Sequence, residues 1–303
     1  MVNALCSALL GTGPQTHILE PQRLIEPERL PLLEEALGRL LKEEPLQYVL
    51  GEAWFLGRRF KVNPAVLIPR PETEEMVDMA LRLWRRKAGN VTRNVTGDVT
   101  GNGSEGCKAG VYRDGRGPKV LDLCTGSGCI AWSMALELPG AGVLGVDISP
   151  GALAVAASQF GDSRVRPQFV EADVLQAEHL LSRLAEVDGH SFGKAVPEKP
   201  QFDIFLSNPP YVRESERARM RANVLDWEPG LALFVPDSDA LRFYSAEAEI
   251  AAAVLRRGGF GLVEINEAFG PEVAELFRRA GLGNVRILQD LSGRDRFVSF
   301  SAE

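Results

Sequence analysis

The sequence predicts an α/β fold, a largely parallel sheet with helices on both faces, and three observations carry that prediction. From Lys119 onward, short apolar runs alternate with amphipathic segments, as repeated strand–helix units require. A glycine-rich turn, Thr125-Gly126-Ser127-Gly128, separates the first of these strands from its helix, and Asp147 stands at the tip of the next strand. An apolar strand, Phe202-Asp203-Ile204-Phe205-Leu206, then runs into Ser207-Asn208-Pro209-Pro210-Tyr211. Two successive prolines cannot continue a central strand, because each lacks an N–H and fixes φ. The strand must therefore stop at Asn208, at the carboxyl edge where open α/β sheets bind ligands.

In order along the chain, Glu28 to Lys42 places Leu32, Leu33, Ala36, Leu37, Leu40 and Leu41 on one helical stripe that Pro45 ends. Residues 46–70 read as a hairpin turning at Gly57. Leu67-Ile68-Pro69-Arg70-Pro71-Glu72-Thr73-Glu74 is held extended by its prolines, and a helix over Glu74 to Arg86 begins at Glu72 or Thr73. Residues 89–117 repeat Asn-Val-Thr-like units with few apolar anchors and read as a flexible insertion. Strands follow at Val120 to Cys124, Gly142 to Ile148, Gln168 to Ala172, Phe202 to Ser207, Phe260 to Ile265, Val285 to Leu288 and Arg296 to Phe300. Helices fall at Gly128 to Leu138, Pro150 to Phe160, Leu175 to Val187, Ala240 to Arg257 and Pro271 to Ala280, with Asp188 to Gln201 a polar loop.

Composition narrows the function. The 303 residues, 45% hydrophobic and 25% charged, are ordinary for a globular protein of one large or two smaller domains. With no apolar run of about 18 residues, no membrane span is expected. Met1 to Leu10 lacks the basic start of a secretory signal and is short for one, and the scattered cysteines fit a reduced, cytoplasmic protein. Four scattered cysteines and three histidines show no metal-ligand spacing, so no metal is expected. A net charge of −7 argues against stable nucleic-acid binding, which depends on neutralising phosphates.

The chemistry lies in two turns. Gly126-x-Gly128-x-x-Ala131 lets backbone approach a ligand at a helix N-terminus, and Asp147, about twenty residues on, suits ribose hydroxyls. That pair fits NAD and S-adenosylmethionine alike. The Asn208-Pro209-Pro210-Tyr211 turn breaks the tie, since it lacks a hydride-transfer acid or base but offers acceptors for an NH2 group. The Asn208 side-chain carbonyl and the main-chain carbonyl of Pro209 would take its two N–H groups, Pro210 would stiffen the turn, and Tyr211 would form an aromatic wall.

Together these residues resemble the amino-methyltransferases that use S-adenosylmethionine. The resemblance narrows with Glu44-Pro-Leu-Gln-Tyr-Val-Leu-Gly51, Leu67-Ile-Pro-Arg-Pro-Glu-Thr-Glu74, Asp122-Leu-Cys-Thr-Gly-Ser-Gly128, Ser207-Asn-Pro-Pro-Tyr211 and Trp227-Glu-Pro-Gly-Leu-Ala-Leu233. In this order they look like the HemK/PrmC family, which methylates N5 of the glutamine in the Gly-Gly-Gln motif of class 1 peptide chain release factors. The resemblance implies a Rossmann-like methyltransferase sheet, S-adenosyl-L-methionine as cofactor with S-adenosyl-L-homocysteine as product, and a release factor as protein partner of a monomeric enzyme. Cofactor contacts would come from Cys124, Thr125, Gly126, Ser127, Gly128, Asp147, Asp173, Val174 and Asn208, with Asp173 near the adenine. The implied domains are residues 1–45, a partial helical substrate-recognition domain; 46–73, hairpin and linker; and 74–303, the methyltransferase domain. Residues 1–45 are shorter than the family's usual N-terminal domain, and the 89–117 insertion has no family counterpart. The alternative is an amino-methyltransferase acting on an exocyclic amine of DNA or RNA, adenine N6 or guanine N2, with Arg213, Arg217, Arg219 and Arg221 as a local basic run.

Overall fold

The structure is a computed structural model and describes residues 2–13, 15–93, 117–191 and 201–303. Short helices come first: α1 (Val2–Leu10), α2 (Thr16–Leu19), α3 (Leu30–Leu40) and α4 (Leu46–Leu50). The apolar stripe expected on α3 is only partly covered. Ala36 is buried, whereas Leu32, Leu37 and Leu41 stay exposed, because helices this short offer too little surface to cover it. The hairpin is tighter than expected, with α4 taking residues 46–50 and only β1 (Glu52–Phe55) and β2 (Arg58–Lys61) pairing across Leu56-Gly57.

Helix α5 (Pro71–Arg93) starts at the second proline of the Pro-Arg-Pro segment, where a missing N–H costs nothing. It runs into the expected insertion as far as Arg93; residues 94–116 of that insertion lie outside the described residues. The strand–helix alternation then follows: β3 (Lys119–Leu123), α6 (Cys129–Glu137), β4 (Gly142–Asp147), α7 (Pro150–Ala157), β5 (Gln168–Glu171), α8 (Ala177–Ser191) and β6 (Phe202–Ser207). Helix α8 takes Asp188 to Ser191 from the expected polar loop, of which 192–200 lie outside the described residues. Past a small parallel pair, β7 (Val212–Arg213) with β8 (Phe234–Val235), and the one-turn α9 (Ala222–Leu225), the chain closes with α10 (Arg242–Val254), β9 (Leu255–Glu264), α11 (Gly270–Arg279), β10 (Gly283–Gln289) and β11 (Asp295–Ser301). Helix α10 stops three residues before Arg257 because Leu255 already pairs with Phe202 of β6.

The seven-stranded sheet has the order β10-β11-β9-β6-β3-β4-β5. Strands β9, β6, β3, β4 and β5 are mutually parallel, while at one edge β11 runs antiparallel to β9 and β10 antiparallel to β11. One face packs α5 and α6 through Met76, Val77, Trp84, Ile130 and Trp132, with Phe55 and Phe60 of the hairpin. The other packs α8, α10 and α11 through Leu180, Leu184, Ile250, Val254 and Phe277. A third cluster joins Tyr48, Val62, Val66 and Ile68 to Ala152 and Val155 of α7, so the linker is fastened to the sheet beside its carboxyl edge.

Candidate active site

Parallel register brings the ends of β3, β4, β6 and β9 to one edge. Ser207 pairs with Leu123 and with Val263, so Asn208 and Glu264 follow side by side at that edge. A cleft of about 850 Å³, its open mouth included, lies there. Its lining includes Cys124, Gly126, Asp147, Asp173, Val174, Asn208 and Pro210.

The glycine turn is shaped by backbone geometry. Cys124, Gly126 and Gly128 have φ of 55°, 54° and 77°, the left-handed region. At Gly128 a Cβ would also come within 3.0 Å of Ala156 Cβ and 3.1 Å of Trp132 Cδ1, so the glycine seats α6 against α7. Thr125 and Ser127 are buried beneath the turn rather than lining the cleft. The Thr125 hydroxyl donates to Asp122 Oδ2 at 2.5 Å, and Ala131 N–H donates to the same oxygen at 3.1 Å, tying the turn to the start of α6. Burial pushes the Asp122 carboxyl up to about 7. Cys124 lines the cleft, but burial first, then Glu247, Asp147 and Asp122, raise its thiol well above the usual range, which leaves it unsuited to act as a nucleophile.

Asp147 Oδ2 accepts from Gly126 N–H and Oδ1 from Ser149 N–H, each at 2.9 Å. Each oxygen keeps a further lone pair. Burial pushes the carboxyl up, and the backbone donors Ser149, Gly126 and Ile148 oppose that. Asp173 Oδ1 accepts from Leu175 N–H at 2.9 Å, which fixes the turn after β5.

Around the Asn-Pro-Pro-Tyr turn the structure adds partners that the linear pattern does not show. Asn208 Nδ2 donates to Thr73 Oγ1 at 3.0 Å, and Thr73 Oγ1 donates to Glu264 Oε2 at 2.7 Å. Pro209 is buried outside the lining. Tyr211 does not line the cleft either: its hydroxyl donates to Glu264 Oε1 at 2.8 Å, and its ring packs on the core. Asn266 Nδ2 donates to the Tyr211 carbonyl at 3.2 Å and pins the turn from below.

Above the cleft, Arg70 Nη2 and Ile68 N–H donate to the two oxygens of the buried Glu228, at 2.7 and 3.1 Å, joining the Pro-Arg-Pro segment to the Trp227-Glu228-Pro229 loop. Ala65, Val66 and Leu67 on one side and Pro229, Leu231 and Ala232 on the other contribute to the lining.

Two family models match the chain, one for the PrmC N-terminal domain over residues 2–51 and one for a methyltransferase domain over residues 120–190. The release factor glutamine methyltransferase of Bacteroides thetaiotaomicron is 36% identical over 97% of this chain and 89% of its own length. That of Cereibacter sphaeroides is 38% identical over 93% of this chain and 82% of its own. The chain belongs to the release factor glutamine methyltransferase family. Among solved structures, a T. thermophilus 16S rRNA N2 methyltransferase in complex with AdoMet and guanosine overlaps 83% of this chain and 50% of its own, at 17% identity and a TM-score of 0.47, a likeness too loose to bear on function.

Members of this methyltransferase family are S-adenosylmethionine-dependent, and the residues here fit that cofactor. Asp147 has lone pairs open to ribose hydroxyls, Gly126 brings bare backbone to the cleft, and Ile148, Ala152, Ala172, Val174 and Phe243 give an apolar wall for a purine. Among the described residues no group of His, Cys, Asp or Glu is placed to hold a metal ion, and no helix is long and apolar enough to cross a membrane. The sequence reading missed Thr73, Glu228 and Glu264 as members of the site. For Glu264 a signal existed: it is a lone carboxylate near the end of the apolar run Phe260 to Ile265, as Asn208 is a lone amide just past Phe202 to Leu206.

Proposed function

We infer that this chain transfers a methyl group from S-adenosylmethionine to the side-chain amide nitrogen (N5) of the glutamine in the Gly-Gly-Gln motif of class 1 release factors. The observation that carries this reading is the hydrogen-bond state of Asn208. Its NH2 group is engaged by Thr73, so the atom left for the cleft is Oδ1, an acceptor suited to an incoming N–H.

A side-chain amide nitrogen is a poor nucleophile because its lone pair is delocalised into the carbonyl; the related peptide C–N bond resists rotation by about 18–20 kcal/mol. No histidine is among the residues lining the cleft, which accords with a reaction that starts from an oriented neutral amide rather than from deprotonation. Asn208 Oδ1 accepts one of the two N–H groups, and Pro210, which lines the cleft, keeps the turn rigid. Tyr211 acts from beneath, through Glu264. When bound, S-adenosylmethionine supplies an electrophilic methyl on a sulfonium. Alignment of this kind can contribute roughly 7–11 kcal/mol to barrier lowering. The nitrogen becomes acidic once methylated, and its proton passes to water.

The remaining assignments follow from the same reading. Cofactor contacts come from Cys124, Gly126, Asp147, Asp173, Val174 and Asn208, while Thr125, Ser127 and Gly128 shape the loop. Residues 1–45 serve substrate recognition, 46–73 connect, and 74–303 carry the chemistry. Ile18, Leu19, Leu24, Leu32, Leu37 and Leu41 remain exposed, an apolar surface of the kind a protein partner covers. The enzyme acts as a cytoplasmic monomer. Nucleic acid is disfavoured as substrate because Arg213 and Arg217 are paired with Glu216 and Glu214 and lie over the rings of Phe269 and Phe234. Mass spectrometry of a release factor after incubation with enzyme and S-adenosylmethionine should place one added methyl on the Gly-Gly-Gln glutamine. An unmodified glutamine in folded release factor would overturn the reading.

A further inference from the structure

The oxygen and nitrogen of an asparagine side chain have nearly the same shape, and the backbone of the turn does not choose between them. A half-turn about the last bond would present NH2 to the substrate instead of oxygen, and the site would then repel the N–H it has to hold. Something must select one orientation, and the hydrogen-bond chain behind Asn208 does so by proton count.

Glu264 is fully buried and ends β9. As a carboxylate it can only accept, and it faces two hydroxyls, Thr73 Oγ1 at 2.7 Å and Tyr211 Oη at 2.8 Å. Burial pushes the Glu264 carboxyl up, with Glu72 adding to that, while the two donated hydroxyls and the nearby positive charge of Arg296 oppose it. Thr73 has a single hydroxyl proton. With that proton given to Glu264, Thr73 Oγ1 can only accept from its other neighbour, so Asn208 must turn Nδ2 toward it, as the 3.0 Å contact shows. Oδ1 is then left for the cleft. Thr73 is 3% exposed and stands in the first turn of α5, where the Pro69-Arg70-Pro71 segment fixes it.

We propose that Thr73 and Glu264 are positioning residues that hold the Asn208 amide with its oxygen toward the substrate. The proposal rests on the reading of Asn208 as the acceptor for the substrate amide. Neither residue touches the reacting atoms. Their effect is on turnover, through the direction of one hydrogen bond.

The test compares Thr73→Val, Thr73→Ser, Glu264→Gln and Asn208→Ala in steady-state methylation of a release factor, with cofactor affinity measured by calorimetry and folding by thermal melting. Thr73→Val keeps the shape and removes the hydroxyl. It should lower kcat by about 10-fold or more, the cost of a mispaired buried polar group, with cofactor Kd within about two-fold of the parent. Thr73→Ser, which retains the hydroxyl, should recover most of that turnover. Glu264→Gln can set its carbonyl oxygen on either hydroxyl and its NH2 on the other, so it no longer dictates the direction of the Thr73 bond and should lower kcat by less than Thr73→Val does. A Thr73→Val enzyme of normal kcat beside an inactive Asn208→Ala would overturn the proposal and leave the reading of Asn208 standing. So would a Thr73→Ser enzyme as slow as Thr73→Val. Normal turnover in Asn208→Ala would instead overturn the underlying reading. If Thr73→Val fails to fold, Thr73→Ala, which also lacks the hydroxyl, decides in its place: normal kcat in a folded variant overturns the proposal.

Discussion

At Asn208 the proposed acceptor is the side-chain oxygen, which is left for the cleft because the nitrogen donates to Thr73. Asn208→Ala removes the acceptor and is expected to cut kcat by about 10²-fold or more, with cofactor affinity almost unchanged. Asp147→Ala should do the reverse, weakening cofactor binding, because both oxygens of Asp147 are held by backbone N–H groups in a fixed position at the cleft. Calorimetric titration with S-adenosylmethionine beside steady-state kinetics separates the two; equal effects of both substitutions on Kd would contradict the division of roles. Asn208, Gly126 and Asp147 were legible in the sequence because each sits at a strand end whose position the apolar runs already fix. Thr73 and Glu264 were not, since their meaning is a contact spanning 191 residues that only the register of β9 beside β6 creates. Tyr211 was legible as part of the turn, but its direction was not: nothing in Asn-Pro-Pro-Tyr tells that the hydroxyl points to a buried carboxylate.

Among the elements, those with strong internal signals stood where periodicity put them, and those decided by neighbours moved. The central parallel strands follow from apolar runs between turns. The end of α10 does not, because Leu255 to Arg257 read equally well as helix until β6 is present to pair with them. Likewise the short α4 replaces part of a hairpin where Tyr48 reaches back to donate its hydroxyl to the Val66 carbonyl at 2.6 Å. The turn between β3 and α6 is the element most sensitive to change. Gly128→Ala places a side chain at φ 77° and within 3.0 Å of Ala156, and should destabilise the fold by about 1–3 kcal/mol. Chemical denaturation measures this, and a loss below a few tenths of a kcal/mol would show that the turn relaxes without difficulty.

For the molecule as a whole, burying carboxyl groups beneath the site makes stability depend on pH. Ser207 Oγ lies 2.5 Å from Glu247 Oε1 and 3.1 Å from the Leu123 carbonyl, while Glu247 Oε2 has no hydrogen-bond partner among the described residues. Burial pushes the Glu247 carboxyl from 4.5 up to about 8. The folded state therefore keeps a proton that the unfolded chain releases near its ordinary pKa. The stability this contributes is complete below about 4.5 and is lost as pH rises through about 8. Melting temperatures from pH 6 to 9 should fall less steeply in Glu247→Gln than in the parent, and parallel slopes would contradict the burial of a protonated carboxyl. Asp122 and Asp203, raised by burial to about 7 and about 6, act in the same direction in both proteins and leave the difference to Glu247.

With methyl-labelled S-adenosylmethionine, the enzyme should label a class 1 release factor, should fail to label the same factor carrying Gln→Ala in its Gly-Gly-Gln motif, and should leave bulk RNA and DNA unlabelled. Label that survives the Gln→Ala change, or that appears in nucleic acid and not in the release factor, would contradict the account.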